Sequence, residues 1–122
     1  MKEYKCIIAG SRSFVDTQFA FDALDALDFK IVEVISGGAK GSDAIGEEWA
    51  RQRGIPVKRF LPDWDRYGKA AGPMRNEAMA AYAAEISEYA GALVCFWNGE
   101  SPGSKNMVSV AIKAGLKIVL PC

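Results

Sequence analysis

The chain has no histidine. That one absence removes a Ser-His-Asp triad, an imidazole general base and every zinc or iron site that depends on imidazole. It has no net charge either, fifteen Lys plus Arg balancing fifteen Asp plus Glu. A neutral chain exerts no overall pull on nucleic acid or an anionic membrane, so any anion site has to be local. Cysteine is scarce: Cys6, Cys95 and Cys122 lack metal-ligand spacing, and two of them sit in apolar runs, which reads as reduced thiols in a cytoplasmic protein. The longest apolar run, residues 89–97, is about half of a membrane span. Residues 1–5 lead straight into a strand pattern without a signal-peptide core.

What is present suits one domain, residues 1–122, half of them apolar and a quarter charged. Short apolar runs at 6–9, 31–35, 56–61, 92–97 and 117–121 alternate with segments of helical period, the pattern of a parallel sheet with crossover helices. Phe19, Ala20, Ala23, Leu24 and Leu27 share one helical face; Ile45 and Trp49 share another, as do Met79, Tyr82, Ala83 and Ile86. A fourth helix is expected over 105–114. Gly54 and Gly115 read as C-terminal caps; Asp16, Ser42 or Asp43, and Pro73 read as helix starts. The expected fold is a three-layer α/β domain with a five-stranded parallel sheet in the order 3-2-1-4-5. The long segment 62–72 then crosses from one half of the sheet to the other.

Such sheets bind ligands beyond the carboxyl ends of the strands where the order reverses, here between the first and fourth strands. Chemistry is therefore expected in loops 10–14, 36–43, 62–75 and 98–106. They carry six cations, Arg12, Lys40, Arg66, Lys69, Arg75 and Lys105, against four carboxylates, Asp43, Asp63, Asp65 and Glu100. In the first loop Gly10 and Ser11 allow close backbone approach and Arg12 offers a forked phosphate contact. The second, Ser36, Gly37, Gly38, Ala39, Lys40, Gly41, Ser42 and Asp43, joins a strand directly to a helix and turns free N–H groups and a helix dipole toward the crevice. It is neither a Walker loop nor a dinucleotide fingerprint. In the crossing segment Trp64 or Tyr67 is placed to stack on a base, Lys69 and Arg75 to pair with phosphate, and Asp63, Gly72 and Asn76 complete the wall. Ser101, Gly103, Ser104 and Asn106 repeat the anion-cradle pattern at the fourth loop. The Ala-rich segment around Ala78, Ala80, Ala81, Ala83 and Ala84 is suited to close helix packing, and a homodimer or higher homo-oligomer is expected from it.

Together these four motifs resemble the SLOG superfamily, the Rossmann-like group that includes DprA and the LOG enzymes, with most likeness to its small YspA-like branch. The resemblance spans nearly the whole chain. It rests on Gly10-Ser11-Arg12 with Phe14; Ser36-Gly37-Gly38-Ala39 with Gly41 and Asp43; Asp63-Trp64 with the run Gly68 to Pro73; Arg75-Asn76 with Met79; and Ser101, Gly103 and Asn106. It implies a nucleotide-derived ligand. LOG-like phosphoribohydrolases cleave the N-glycosidic bond of a nucleoside monophosphate with an arginine, matched by Arg75, and a glutamate after a Gly-Thr turn. That second requirement is not met, because Gly103-Ser104 is followed by Lys105, Asn106 and Met107. A missing carboxylate removes the group that would stabilise an oxocarbenium-like centre or activate water. Asp43, Asp63 and Glu100 are the substitutes available. The resulting expectation is a module that binds or senses a nucleotide-derived small molecule, with phosphoribohydrolase activity as the alternative. A DprA-like nucleic-acid or protein-interaction role is a third reading, and the neutral charge argues against nucleic acid. No cofactor or protein-held metal is expected, and magnesium has a place only through ligand phosphates.

Overall fold

The structure, a computed structural model, describes residues 1–121, and Cys122 lies outside them. Five strands, β1 (Glu3–Gly10), β2 (Lys30–Ser36), β3 (Val57–Arg59), β4 (Ala90–Phe96) and β5 (Lys117–Val119), form one sheet in the order β3-β2-β1-β4-β5. Every pairing is parallel, with Cys6 opposite Val34 on one side and Ala92 on the other. The helices are α1 (Thr17–Asp25), α2 (Ser42–Gln52), α3 (Trp64–Tyr67), α4 (Ala71–Ala84) and α5 (Pro102–Lys113), and a single 3₁₀ turn, Gly68–Ala70, joins α3 to α4.

Both faces of β1 are buried, which is why its apolar run is continuous rather than alternating. Tyr4, Cys6 and Ile8 pack with Ala20 and Leu24 of α1 and Trp49 and Ala50 of α2. Ile7 and Ala9 pack with Met79, Ala80 and Ala83 of α4 and with Met107 and Ala111 of α5. Helix and sheet approach closely where side chains are small: a Cβ at Gly46 of α2 would lie 2.6 Å from Ile8 Cγ2. The alanines of α4 therefore divide, Ala80 and Ala83 serving this core while Ala78, Ala81 and Ala84 face outward. Cys6 and Cys95 are buried, and loss of solvent pushes the Cys6 thiol up to about 12, which makes it a packing residue. Among the described residues no helix is long and apolar enough to cross a membrane.

Several element ends differ from the expected ones for local reasons. Asp16 caps α1 by accepting from the Phe19 N–H, as its position suggested. Helix α2 starts at Ser42, one of the two expected positions, with Gly41 at its N-cap at φ +71°. The crossing segment is not a plain loop: Asp63 accepts from the Arg66 N–H and starts α3. Helix α4 begins at Ala71, which puts Pro73 in the first turn, where a missing N–H costs no intrahelical bond. It ends at Ala84, and Ile86 lies beyond it, fully exposed. Helix α5 starts three residues earlier than expected, with Ser101 as its N-cap and Pro102 at its first position. The edge strands β3 and β5 are shorter than their apolar runs, since only three residues of each find a partner.

Candidate functional site

A cavity of about 770 Å³ opens at the carboxyl edge of the sheet, bounded by the ends of β1 and β2, the segment from Leu61 to Asn76 and the start of α5. It lies over the β1/β4 switch point, where the strand order reverses. Of the residues expected at the site, Gly10, Arg12, Gly37, Gly38, Ala39, Asp43, Trp64, Lys69, Gly72, Arg75, Asn76, Ser101, Gly103, Ser104 and Asn106 line it. Ser11, Ser36, Gly41, Asp63 and Glu100 do not.

Those five have other roles. Ser11 O accepts from both the N–H and the hydroxyl of Ser42, at 3.3 and 3.2 Å, tying the first loop to the start of α2. This junction is tight enough that a Cβ at Gly41 would come within 2.6 Å of Ser11 O. Ser36, fully buried, donates to Glu47 Oε2 at 2.6 Å and accepts from the Gly38 N–H at 3.1 Å. Glu47 is held in turn by Arg59 of β3 through Nε contacts of 3.1 Å. Asp63 is consumed as the α3 cap, and Glu100 is exposed in the turn before α5. Among the three carboxylates offered as catalytic substitutes, only Asp43 shares the main cavity with Arg75.

Those two residues flank Gly37, where a Cβ would lie 2.9 Å from both Asp43 Oδ2 and Arg75 Cζ. Asp43 is buried in the first turn of α2, and its Oδ2 accepts from the Ala39 N–H at 3.1 Å. Burial raises its carboxyl above the ordinary value; the Ala39 hydrogen bond and the Arg75 charge pull it back, and Glu47 adds to the rise. Arg75, half-buried, donates from Nη1 to Gly37 O at 2.8 Å and from Nε to Asn76 Oδ1 at 3.0 Å. Its burial lowers the guanidinium from its usual value, opposed by Asp43, and leaves it charged. Nη2 has no protein partner among the described residues. Asn76 passes the chain of hydrogen bonds on, Nδ2 donating to Asn106 Oδ1 at 2.9 Å and to Gly103 O at 3.5 Å. Asn106 accepts through Oδ1, and among the described residues no hydrogen bond is made by its Nδ2.

The two glycine-rich turns on this cavity therefore differ. At α2 the cradle holds its own carboxylate, Asp43. At α5 the lining is Ser101, Gly103, Ser104 and Asn106 without a carboxylate, and Ser101 Oγ takes the Ser104 N–H and hydroxyl at 3.4 and 3.2 Å. Asp43 is the one carboxylate on the cavity wall among the described residues, facing the cations Arg12, Lys40, Lys69 and Arg75. The same residues form no cluster of three His, Cys, Asp or Glu side chains.

Sequence reasoning missed Glu47, although its spacing of four from Asp43 puts both on one helical face. Met79, quoted at the site only as part of the family motif, lines the cavity from the core, and Met107, Leu61 and Pro62 on its wall were missed. A smaller cavity of about 160 Å³, lined by Leu61, Pro62, Asp63, Tyr67, Ala71, Met74 and Arg75, adjoins the first and shares Arg75 with it.

The architecture is that of a Rossmann-like α/β module. The solved structure of DNA processing protein A (DprA) from Streptococcus pneumoniae matches it with a TM-score of 0.71 over 94% of this chain, at 18% identity. This chain spans about half of that protein, 49%. The Gene 61 protein of Mycobacterium phage D29 is 37% identical over 124 residues, covering 94% of each chain. Residues 4–67 match the sequence profile of the YspA, cpYpsA-related SLOG family. The chain belongs to that family.

Proposed function

We propose that the protein binds a nucleotide-derived small molecule in the 770 Å³ cavity, with its phosphate at the start of α5 and beside Arg75. The observation that carries this reading is the difference between the two turns. A helix N-terminus attracts an anion; the turn into α2 carries its own carboxylate, Asp43, which takes the Ala39 N–H, whereas no carboxylate stands among Ser101, Gly103, Ser104 and Asn106, which line the cavity at the start of α5. Arg75 Nη2 supplies a charged donor at the same end. Asp43, beside Arg75 across Gly37, is an acceptor for a hydroxyl or amino group of the ligand. The resemblance to a family linked with nucleotide-derived ligands supports this choice of ligand class.

One observation favours catalysis as a second reading. Asp43 is a buried carboxyl with a raised pKa, close to Arg75 and on the cavity wall, which is the environment that suits a general acid or base. Hydrolysis of a nucleoside 5′-monophosphate would then depend on Asp43. Release of free base from AMP, followed by chromatography on the unmodified protein and on Asp43→Asn, separates the readings: binding without release supports a binding module. A thermal-shift panel of nucleoside mono-, di- and cyclic phosphates tests binding itself. At least one should raise the Tm, and a flat panel at millimolar ligand contradicts the proposal.

A further inference from the structure

We propose that the ligand carries an aromatic ring, such as a nucleobase, and that this ring stacks on Trp64; the inference rests on the binding reading above and narrows its ligand class. Two aromatics of the crossing segment were equally placed by sequence, but only Trp64 lines the main cavity, while Tyr67 borders the smaller one. Trp64 is 53% exposed, a large apolar ring left in water at the mouth of a cavity. Among the described residues no other ring packs against it, in contrast with Phe14, Phe19 and Phe96, which pack on one another. An indole in that state has an open π-face, and burying it on a flat ring gains both area and stacking.

Its position is fixed from below. The six-membered part of the indole rests over Gly72, where a Cβ would lie 3.3 Å from Cη2 and 3.8 Å from Cζ3. Gly72 in the first turn of α4 thus acts as a shelf, and Arg75 follows it by three residues on the same helix. A ligand whose phosphate sits beside Arg75 at the start of α5 has its other end free to reach the Trp64 side of the cavity. Lys69, also on the wall, follows Trp64 by five residues within the short α3 and 3₁₀ segment, which buries none of its own side chains. Sugar phosphates without a ring would use the anion end alone.

Calorimetric titration of the whole chain with AMP, ADP and ribose 5-phosphate tests this, using wild type, Trp64→Leu and Trp64→Phe. Trp64→Leu should weaken AMP and ADP by about 5- to 150-fold, the range found for one base stacked on one aromatic, and leave ribose 5-phosphate within about twofold. Trp64→Phe should keep most of the AMP affinity. Equal weakening of AMP and ribose 5-phosphate, or no change with either, overturns the stacking proposal while leaving nucleotide binding intact. A shift in oligomeric state without a change in AMP affinity does the same and assigns Trp64 to a protein contact. Absence of heat with every nucleotide removes the binding reading and this proposal together.

Discussion

The turn at 36–43 and the turn at 98–105 read almost alike: each leaves a buried strand, passes through glycines and hydroxyls and enters a helix of eleven or twelve residues. Folded, they are opposites. The first closes on itself, because the Ala39 N–H finds Asp43 and the Ser36 hydroxyl takes the Gly38 N–H. The second has no carboxylate of its own: Ser101 caps the helix by accepting from the Ser104 N–H and hydroxyl, and Asn106 accepts from Asn76 through its carbonyl oxygen. On the binding reading proposed above, the turn without its own carboxylate is the one left for a phosphate.

The largest effect expected from altering this contrast is on stability. Supplying the carboxylate that the LOG pattern has after its Gly-Thr turn would mean a glutamate at 106 or 107, yet only Asn106 is half-exposed, whereas Met107 is buried among Ile7, Met79 and Ala111. Met107→Glu leaves an uncompensated charge in the core and should cost about 3–5 kcal/mol. Urea unfolding should show this loss for Met107→Glu and a much smaller one for Asn106→Glu.

Next comes the cation between the turns. Arg75→Ala removes a charge-assisted hydrogen bond to the ligand, about 1.5–3 kcal/mol of binding, and strips Gly37 O of its partner. Arg66→Ala, whose side chain is exposed and whose guanidinium lies over Tyr67, should leave affinity unchanged. Calorimetry with AMP that gave both variants the same loss would break the assigned polarity.

A smaller effect follows from the filled turn. Asp43 holds its proton more tightly folded than unfolded, so its contribution to stability is full below the ordinary carboxylate value of 3.8 and is lost as pH rises through the raised folded value. Asp43→Asn keeps an acceptor for the Ala39 N–H and has no such loss. Chemical denaturation across the mildly acid range should show the variant gaining on wild type as pH increases from about 4, with the gap constant at higher pH. A gap that does not change with pH would mean that the carboxyl is not buried as a charge.

The fold and its strand order were legible because each strand is an apolar run too short for a helix and each crossover has helical period. Most of the cavity was legible as well, since a parallel sheet confines chemistry to four loops. The filled turn was not. Whether Asp43 reaches back to Ala39 depends on the positive-φ turn at Gly41 and on the junction of Ser42 with Ser11, 31 residues earlier, and spacing alone encodes neither. Asp63 and Glu100 looked equivalent to Asp43 for the same reason: a carboxylate in a site loop can cap a helix, face solvent or face the ligand. The burial of Met107 was readable from its spacing of four to Ala111, but the family pattern drew attention to the acidic residue it replaces.

The most direct test places a carboxylate in the open turn. Gly103 lines the cavity, and a Cβ there meets nothing within 4 Å, so Gly103→Asp is sterically free. An acid in the first turn of α5 should hold or raise the Tm, worth about 0.3–1 kcal/mol through the helix dipole. It should also abolish the heat of AMP binding by doing at α5 what Asp43 does at α2. A variant that keeps its fold and binds AMP as wild type does would contradict the claim that the start of α5 is the phosphate site.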